Sequence, residues 1–357
     1  MPKERQAEPH ISWSHSRDQL LRECERRYYY RYYASRGGWK HNSSRLARRA
    51  YRLTQLTSFD QVLGLSVHNR AREIGTAVAT GSPRPSFDVL WQRTRSDLNR
   101  LFTDSADLAA FEREPKHHPV LFSVYYGRPV EAETIERIRG KAESCLRHLH
   151  ESAVWDDVAN CPRESVWIFD GPVSFMVDQI PVWAAPDLVY QLPGMRPVIL
   201  DWKTGSVKIQ QAYEQLGVYG CFAESALGLP AAPEGYEGQI AELATGECWS
   251  IDLNASDLRA TEDRIRARSI EMESFEEPDQ PGVAKPLDAF QLVQSRTRCL
   301  TCNYLELCQG EASATRRVTS GEASGRRRPQ ISGSPTTTTP QPGGTPAARV
   351  LPSCRST

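Results

Sequence analysis

The fold of this chain is decided by one stretch, Val198-Ile199-Leu200-Asp201-Trp202-Lys203-Thr204-Gly205. Its apolar start predicts a buried β-strand, and two charged residues stand near the end of that strand. Because side chains alternate along a strand with a period of two, the aspartate and the lysine project from the same edge. A second carboxylate, in Pro186-Asp187, lies a short distance upstream. An isolated Asp-x-Lys is weak evidence, since strands that end in solvated charges are common, so its neighbours decide its meaning.

These charged groups suit the hydrolysis of a phosphodiester. That reaction needs a hard cation to neutralise developing charge and a nucleophile that forms near neutral pH. Mg²⁺ or Mn²⁺ is commonly bound by one or two carboxylates together with water and phosphate, so Asp187 and Asp201 suffice on the protein side. Lys203 would then position or activate the attacking water.

A helix is predicted directly after this strand, because apolar residues recur at helical intervals from Gln211 to Leu227. Gln215 and Tyr219 are four residues apart, so they share a face of that helix and can both turn towards the strand end. In the alternative interpretation Tyr219 packs in the core and Gln215 faces water.

Together these residues resemble the PD-(D/E)xK nuclease superfamily, in particular its RecB-like branch, in which a Gln-x-x-x-Tyr helix follows the Asp-x-Lys strand. The resemblance implies a metal-binding histidine on an early helix, and Gly64-x-x-x-His68 matches that pattern. One departure stands beside Asp187, where Ala184 replaces a common glycine and Leu188 replaces a common arginine.

The resemblance also implies a role for each matching residue. The metal ligands would be His68, Asp187 and Asp201, with the backbone carbonyl of Trp202 as a further ligand. Lys203 would act on the water. Gln215 and Tyr219 would orient Lys203 or the DNA backbone.

Cysteine forms a second pattern, which we call the cysteine quartet: Cys24, Cys299, Cys302 and Cys308. Four thiolates can hold a structural zinc ion or an iron–sulfur cluster. Zinc sites usually draw on two local Cys pairs, whereas here one remote cysteine joins a group of three, which favours iron–sulfur. The arrangement resembles the 4Fe-4S cluster of AddB-type and CRISPR-adaptation exonucleases. We expect the remaining cysteines to be free thiols, mostly buried: Cys145, Cys161, Cys221, Cys248 and Cys354.

The 44 basic and 44 acidic residues give a formal net charge of zero, but the charge is unevenly distributed. Between Arg17 and Arg52, Lys and Arg outnumber Asp and Glu and alternate with aromatic rings: Tyr28, Tyr29, Tyr30, Tyr32, Tyr33 and Trp39. Arginines that neutralise phosphates and rings that stack on bases are the ingredients of a single-strand channel. Packing of the tyrosines around the cysteine quartet is an equally good interpretation.

The fold class expected from these patterns is α/β, with a restriction-endonuclease-like core whose central mixed β-sheet is flanked by helices. An N-terminal helical region, clasped by the cluster, would occupy residues 1–160. The nuclease core would follow at 161–275, with strands between residues 164 and 202 and a hairpin within 238–253. A cluster-binding segment would occupy 276–310. Residues 311–357 are rich in Ser, Thr, Pro, Gly and Arg, which predicts a disordered tail.

No apolar leader and no run of 18 apolar residues occurs in the chain, so we expect a cytoplasmic protein without a membrane span. In that reducing compartment, nine cysteines are better explained by metal or cluster ligation than by disulfides.

The function expected from these residues and the resemblance is that of a Mg²⁺- or Mn²⁺-dependent deoxyribonuclease. The relatives imply an exonuclease that acts on single-stranded or end-processed DNA in repair, recombination or CRISPR adaptation, with a helicase or an adaptation complex as partner. One alternative is a catalytically silent iron–sulfur module that binds DNA within a larger complex. Another is a zinc-clasped protein with no nucleic-acid role.

Overall fold

The computed structural model describes residues 11–231, 234–293, 296–309, 348–351 and 354. Its α-helices, in chain order, are α1 (His15–Glu23), α2 (Glu25–Tyr29), α3 (Arg45–Thr54), α4 (Phe59–Ala79), α5 (Phe87–Asp104), α6 (Leu108–Arg113), α7 (Phe122–Tyr125), α8 (Ala132–His150), α9 (Val154–Asn160), α10 (Ile209–Leu227) and α11 (Ala255–Glu273). Shorter helical turns are a π-helical turn at Tyr30–Ala34 and 3-10 turns at Arg163–Ser165, Leu287–Ala289 and Arg296–Thr301.

The strands, in chain order, are β1 (Trp13–Ser14), β2 (Leu56–Thr57), β3 (Val120–Leu121), β4 (Val166–Ile168), β5 (Val173–Val177), β6 (Ile180–Ala184), β7 (Leu188–Tyr190), β8 (Val198–Lys203), β9 (Tyr236–Glu242), β10 (Glu247–Leu253), β11 (Glu276–Glu277), β12 (Gln280–Ala284) and β13 (Arg349–Leu351).

A mixed sheet of six strands forms the centre of the protein, in the order β13-β10-β9-β8-β7-β4. Only β8 and β9 pair in parallel; the other neighbours in this sheet are antiparallel. A parallel pair needs a crossover connection, and α10 supplies it. A second sheet has the order β1-β6-β5, in which β1 lies parallel to β6. The predicted fold class, a central mixed sheet flanked by helices, is confirmed.

Two apolar cores cover the faces of the central sheet, and β8 contributes to both. Val198, Leu200 and Trp202 belong to the core on the side of α4, α8 and α9, whereas Ile199 belongs to the core on the side of α10 and α11. Burial on both faces explains why β8 begins as an uninterrupted apolar run. Because side chains alternate, Asp201 and Lys203 follow Ile199 onto the α10 side.

Local signals set the helices that surround the sheet. The Ser58 side chain accepts from Gln61 N at the start of α4. Asn254 and Asp257 form a capping box at the start of α11. The close approach of α10 to α11 requires Gly217, since a Cβ there would collide with the Thr261 side chain. The helix expected from Gln211 to Leu227 is present as α10.

A third apolar group, the terminal cluster, joins the two ends of the described domain. It is made of Tyr30, Ala50, Leu53, Leu56, Phe111, Val120, Tyr304 and Leu307. Polar contacts reinforce it: Asn303 Nδ2 donates to the carbonyl oxygens of Leu53 and Leu56, both at 3.0 Å. Arg49 Nε also donates to Glu306 Oε1 at 2.6 Å. The cysteine-bearing C-terminal segment therefore packs on the N-terminal helices.

Two expectations about the C-terminus were wrong. Cys248 and Cys354 form a disulfide, with Cα atoms 5.3 Å apart, although both were expected to be free thiols. Arg349–Leu351 is not disordered, because it forms β13 at the edge of the central sheet beside β10. The pairing of β13 with β10 brings Cys354 to Cys248. The two cysteines are 106 residues apart, and no pattern in the sequence indicates that they pair. Residues 311–347, 352, 353 and 355–357 of the predicted tail lie outside the described residues.

Three of the cysteines that were expected to be free thiols are free. Cys145 and Cys221 are buried free thiols, and Cys161 is a half-buried one. No helix within the described ranges combines the length and the apolar character needed to cross a membrane.

The disulfide generates a stability prediction. Cys354→Ser should lower the free energy of unfolding by about 2–4 kcal/mol, because the cross-link closes a long loop. Urea unfolding of the variant and the wild type under non-reducing conditions measures this difference. Cys161→Ser, at a half-buried free thiol, is the control and should change little. A wild-type unfolding midpoint that a reductant leaves unchanged would contradict the prediction.

Candidate active site

Asp201 and Lys203 lie together at the end of β8, as their spacing predicted. The Asp201 side chain is buried, with 2% of the residue exposed, and its Oδ2 lies 2.6 Å from Lys203 Nζ. This contact is an ion pair without hydrogen-bond geometry, because the buried Oδ2 atom has no hydrogen-bond partner. An acidic oxygen shielded from water is therefore left with acceptor capacity.

The helix α10 adds two further side chains to this pair. Lys203 Nζ donates to Gln215 Oε1 at 2.8 Å, and Gln215 Nε2 donates to Tyr219 Oη at 2.6 Å. The Asp201 carboxylate is near enough to the Tyr219 hydroxyl to help raise the pKa of that phenol. We call this set of four side chains, Asp201, Lys203, Gln215 and Tyr219, the Asp201 circuit. The predicted shared face of Gln215 and Tyr219 is confirmed, and Tyr219 is also a core residue, at 3% exposed.

Asp187 and His68 form a second pair beside the circuit. Asp187 stands between β6 and β7, and its Oδ1 accepts from His68 Nδ1 at 2.6 Å. Its Oδ2 accepts from the backbone N–H of Trp202 at 2.8 Å. Trp202 separates Asp201 from Lys203, so this bond ties Asp187 to the end of β8. The helix α4 approaches the same place, since a Cβ at Gly64 would lie 3.5 Å from Thr204 Oγ1.

Burial and neighbouring charges shift the pKa values of these groups. Burial raises the pKa of Asp201, against the opposing effect of the Lys203 ammonium, and the Asp187 carboxylate raises it further. Burial alone would lower the pKa of His68, but its hydrogen bond to Asp187 and the charge of that carboxylate outweigh burial and raise it. Burial also raises the pKa of Tyr219 well above its usual value, which keeps the phenol protonated as a donor.

The donor set suits a hard cation. Two carboxylates are ordinary ligands for Mg²⁺ or Mn²⁺, and the buried Asp201 Oδ2 has no hydrogen-bond donor. Across the described ranges, however, no three His, Cys, Asp or Glu side chains stand close enough together to hold one metal ion. His68 is bonded to Asp187, and Asp201 is paired with Lys203. The ligand roles of His68, Asp187, Asp201 and the Trp202 carbonyl stay predictions.

Two cavities meet at these residues. The first, of about 330 Å³, is lined by His68, Asp187 and Asp201; the second, of about 620 Å³, extends past the start of α1. Their linings share Ala185, Lys203, Gln215 and Tyr219. The active-site side chains thus stand at the junction of a cleft with two arms.

Sequence reasoning missed several residues that line this cleft. Asn69 and Arg72 of α4 line the first cavity, where Arg72 pairs with Asp170. The signal for Arg72 was available, because it lies four residues after His68 and therefore on the same helix face. His15 and Trp183 line the second cavity, and no motif marks either of them.

All four members of the cysteine quartet line one cavity of about 260 Å³. Cys24 lies between α1 and α2, where its Sγ accepts from Arg27 N at 3.4 Å. Burial raises the pKa of the Cys302 thiol, and it raises the pKa of Cys308 to about 11. Among the described residues, no group of three or more His, Cys, Asp or Glu side chains, the quartet included, is placed to hold a metal ion.

The basic, aromatic N-terminal segment serves mainly in packing. Tyr28, Tyr30 and Tyr33 are buried, and the buried Arg17 guanidinium stands 4.5 Å from the ring centre of Tyr32. The three buried tyrosines cannot stack on a nucleobase where they lie. Trp39 is 63% exposed, and Tyr29 and Tyr32 are half-buried.

Comparison with known proteins agrees with this geometry. A search of curated proteins finds no match for the chain. The family model of the PD-(D/E)XK nuclease superfamily matches residues 12–309, a range that contains the Asp201 circuit, the Asp187–His68 pair and the cysteine quartet. The chain therefore belongs to the PD-(D/E)XK nuclease superfamily.

Proposed function

We propose that the protein is a Mg²⁺- or Mn²⁺-dependent deoxyribonuclease whose active centre is the Asp201 circuit with the Asp187–His68 pair. The strongest support is the circuit itself, in which every motif side chain is hydrogen-bonded or ion-paired to the next. Charged residues that only keep a strand end solvated do not require this series of linked side chains. Its place at the junction of two cavities leaves room for a substrate on either side.

In this proposal His68, Asp187 and Asp201 hold the cation, with the Trp202 carbonyl as a further ligand. A bound Mg²⁺ or Mn²⁺ would neutralise the charge that develops on the phosphate and favour the formation of hydroxide near neutral pH. His68 orients Asp187 through its Nδ1–H, and the Trp202 N–H fixes the other oxygen.

Lys203 is the residue proposed to hold the attacking water. Its ammonium carries three hydrogens, and Gln215 Oε1 accepts one at 2.8 Å while Asp201 lies 2.6 Å away. Gln215 is in turn fixed by Tyr219. The ammonium is therefore aimed before substrate arrives, which reduces the reorganisation that catalysis requires.

We further infer exonucleolytic action on DNA ends, in repair, recombination or CRISPR adaptation, from the RecB-like order of the motifs. A helicase or an adaptation complex would be the partner. The alternative of a catalytically silent DNA-binding module is disfavoured by the complete and connected motif residues.

We also propose that the cysteine quartet holds a 4Fe-4S cluster. A zinc ion would draw four sulfurs to about 2.3 Å from one centre, whereas each cysteine of a 4Fe-4S site binds a cluster. The four thiols line a common cavity, and the grouping of one remote cysteine with three close ones favours the cluster over zinc. The iron–sulfur cluster would stabilise the packing of the terminal cluster, since Cys302 and Cys308 pack against that apolar group.

Removing the charge of Asp201 tests the active centre. Asp201→Asn should lower the rate of cleavage of end-labelled DNA with Mg²⁺ or Mn²⁺ by about 100-fold or more, because a ligand charge is lost with little change of volume. DNA binding, measured by fluorescence anisotropy, should persist. Asp252→Asn, in β10 and outside the cleft, is the matched control. The product ladder of the wild type separates exonuclease from endonuclease action, and undiminished cleavage by Asp201→Asn would refute the site.

A second test separates the nuclease from the silent module. Lys203→Ala should abolish cleavage without loss of DNA binding, and Gln215→Ala should slow cleavage by about 10- to 100-fold because Lys203 loses its orienting acceptor. Single-turnover rates measure both effects. Lys141→Ala removes another carboxylate-paired lysine, 2.5 Å from Asp60, and should leave the rate unchanged. Wild-type DNA binding without any metal-dependent cleavage would favour the silent module.

Iron content and visible absorbance test the proposed 4Fe-4S cluster. Anaerobically purified wild type should be brown and contain about four iron atoms per chain. Cys302→Ser should lose iron and visible absorbance, whereas Cys145→Ser, at a buried thiol outside the quartet, should retain both. Metal analysis and absorption spectra give the answer. A colourless wild-type protein with one zinc per chain would replace the cluster with a zinc site.

A further inference from the structure

The second cavity of the cleft extends beyond the residues that the metal-binding proposal uses. It holds about 620 Å³, within the range of pockets that enclose small ligands, and it opens directly off Lys203 and Gln215. Its walls come from the start of α1, the end of β6 and the first turns of α10. None of the proposed metal ligands lines it.

An exposed indole stands on one wall of this cavity. Trp183 is 46% exposed, while its neighbours Val182 and Ala184 on β6 are buried. The strand pairs on both sides, with Trp183 opposite Ser14 of β1 and Ser174 of β5, so the ring has a firm support. The chain runs from Trp183 through Ala185, which lines both cavities, to Asp187. The indole is thus held at a short, defined distance along the chain from the active centre.

His15 of α1 also lines this cavity. Its Nδ1 is shielded from water and has no hydrogen-bond partner. Burial, helped by the nearby Arg264 charge, lowers the pKa of His15 to about 4. The imidazole is therefore neutral at pH 7, with one donor and one acceptor nitrogen. A neutral ring suits the edge of a nucleobase better than a phosphate, which prefers a cation.

The charged groups of the cavity lie elsewhere on its wall. Lys203 and Lys208 line it from the end of β8 and the start of α10. Gln211, one turn into α10, adds a neutral amide. An aromatic face and neutral polar groups therefore occur together with ammonium groups, the combination that binds a base and its backbone in single strands.

We propose that this cavity is a nucleotide subsite, in which the unpaired base next to the scissile phosphate stacks on Trp183 and meets His15 and Gln211 at its edge. The proposal rests on the proposed nuclease function and specifies its substrate. A base that enters the cavity has left any duplex, so the strand must be single at this position. Lys208 would lie along the sugar-phosphate side.

Binding in EDTA tests the subsite without any cleavage. Fluorescence anisotropy with a labelled single-stranded oligonucleotide should show about tenfold weaker binding by Trp183→Ala, because a stacked base is lost. Trp183→Phe keeps an aromatic face and should bind nearly as the wild type. Met176→Ala is the matched control, since Met176 is 52% exposed on the neighbouring strand β5 and does not line the cavity.

A strand without bases isolates the stacking contact from the phosphate contacts. An oligomer of abasic deoxyribose phosphates should bind the wild type and Trp183→Ala equally. Equal binding of the base-containing strand by wild type and Trp183→Ala would overturn the subsite, and so would an equal loss on both strands.

The outcomes also separate the subsite from the nuclease. If Trp183→Ala weakens binding of the base-containing strand alone, and the wild type does not cleave with Mg²⁺ or Mn²⁺, the subsite is supported and the nuclease is refuted. If the wild type cleaves and Trp183→Ala binds the base-containing strand as the wild type does, the nuclease is supported and the subsite is refuted. A wild type that binds neither strand in EDTA would overturn the subsite, and one that also fails to cleave with Mg²⁺ or Mn²⁺ would overturn both proposals.

Discussion

The buried carboxylate of Asp201 is the constraint on which the rest of the site depends. A charge taken out of water is costly unless it is paired and hydrogen-bonded. Here the compensation comes from Lys203 at 2.6 Å, and Gln215 Oε1 holds the Lys203 ammonium by accepting from it at 2.8 Å. Lys203 belongs to the same strand, but Gln215 is contributed by α10. The right placement of that helix against β8 is therefore a condition for holding the charge, and it is set by the parallel β8–β9 crossover.

The N-terminal helices are joined to the core by a second set of buried charges. Asp18 of α1, which is fully buried, pairs with Arg268 of α11 and lies 3.0 Å from Arg22. Arg22 also reaches Glu214 of α10 at 2.8 Å. These pairs fix α1 beside the helix that carries Gln215 and Tyr219. The second cavity exists because α1 is held there, with β1 paired to β6.

Two features, the terminal cluster and the cysteine quartet, connect the C-terminal segment around Tyr304 to the N-terminal helices. The terminal cluster packs the segment around Tyr304 on the N-terminal helices, and the cysteine quartet surrounds a cavity at the same place. At one edge of the central sheet, β13 and the Cys248–Cys354 disulfide form a separate contact. Both devices act on the periphery, whereas the active centre depends on the middle strand β8.

Local patterns in the sequence determined much of this protein. The period of two in β8 placed Asp201 and Lys203 on one face, and the four-residue spacing put Gln215 beside Tyr219. Composition and periodicity also predicted the mixed sheet and the main helices. These features depend on neighbours in the chain, so a single sequence contains them.

Only the tertiary structure decided the rest. The Cys248–Cys354 disulfide depends on an edge strand that pairs across 106 residues, and no local pattern reports such a contact. Arg72, His15 and Trp183 reach the cleft because three separate elements meet there. The tyrosines near the N-terminus are buried instead of open to bases because α1 and α2 are packed against the core. Burial and long-range pairing arise from the whole fold, and for that reason they could not be read from the chain alone.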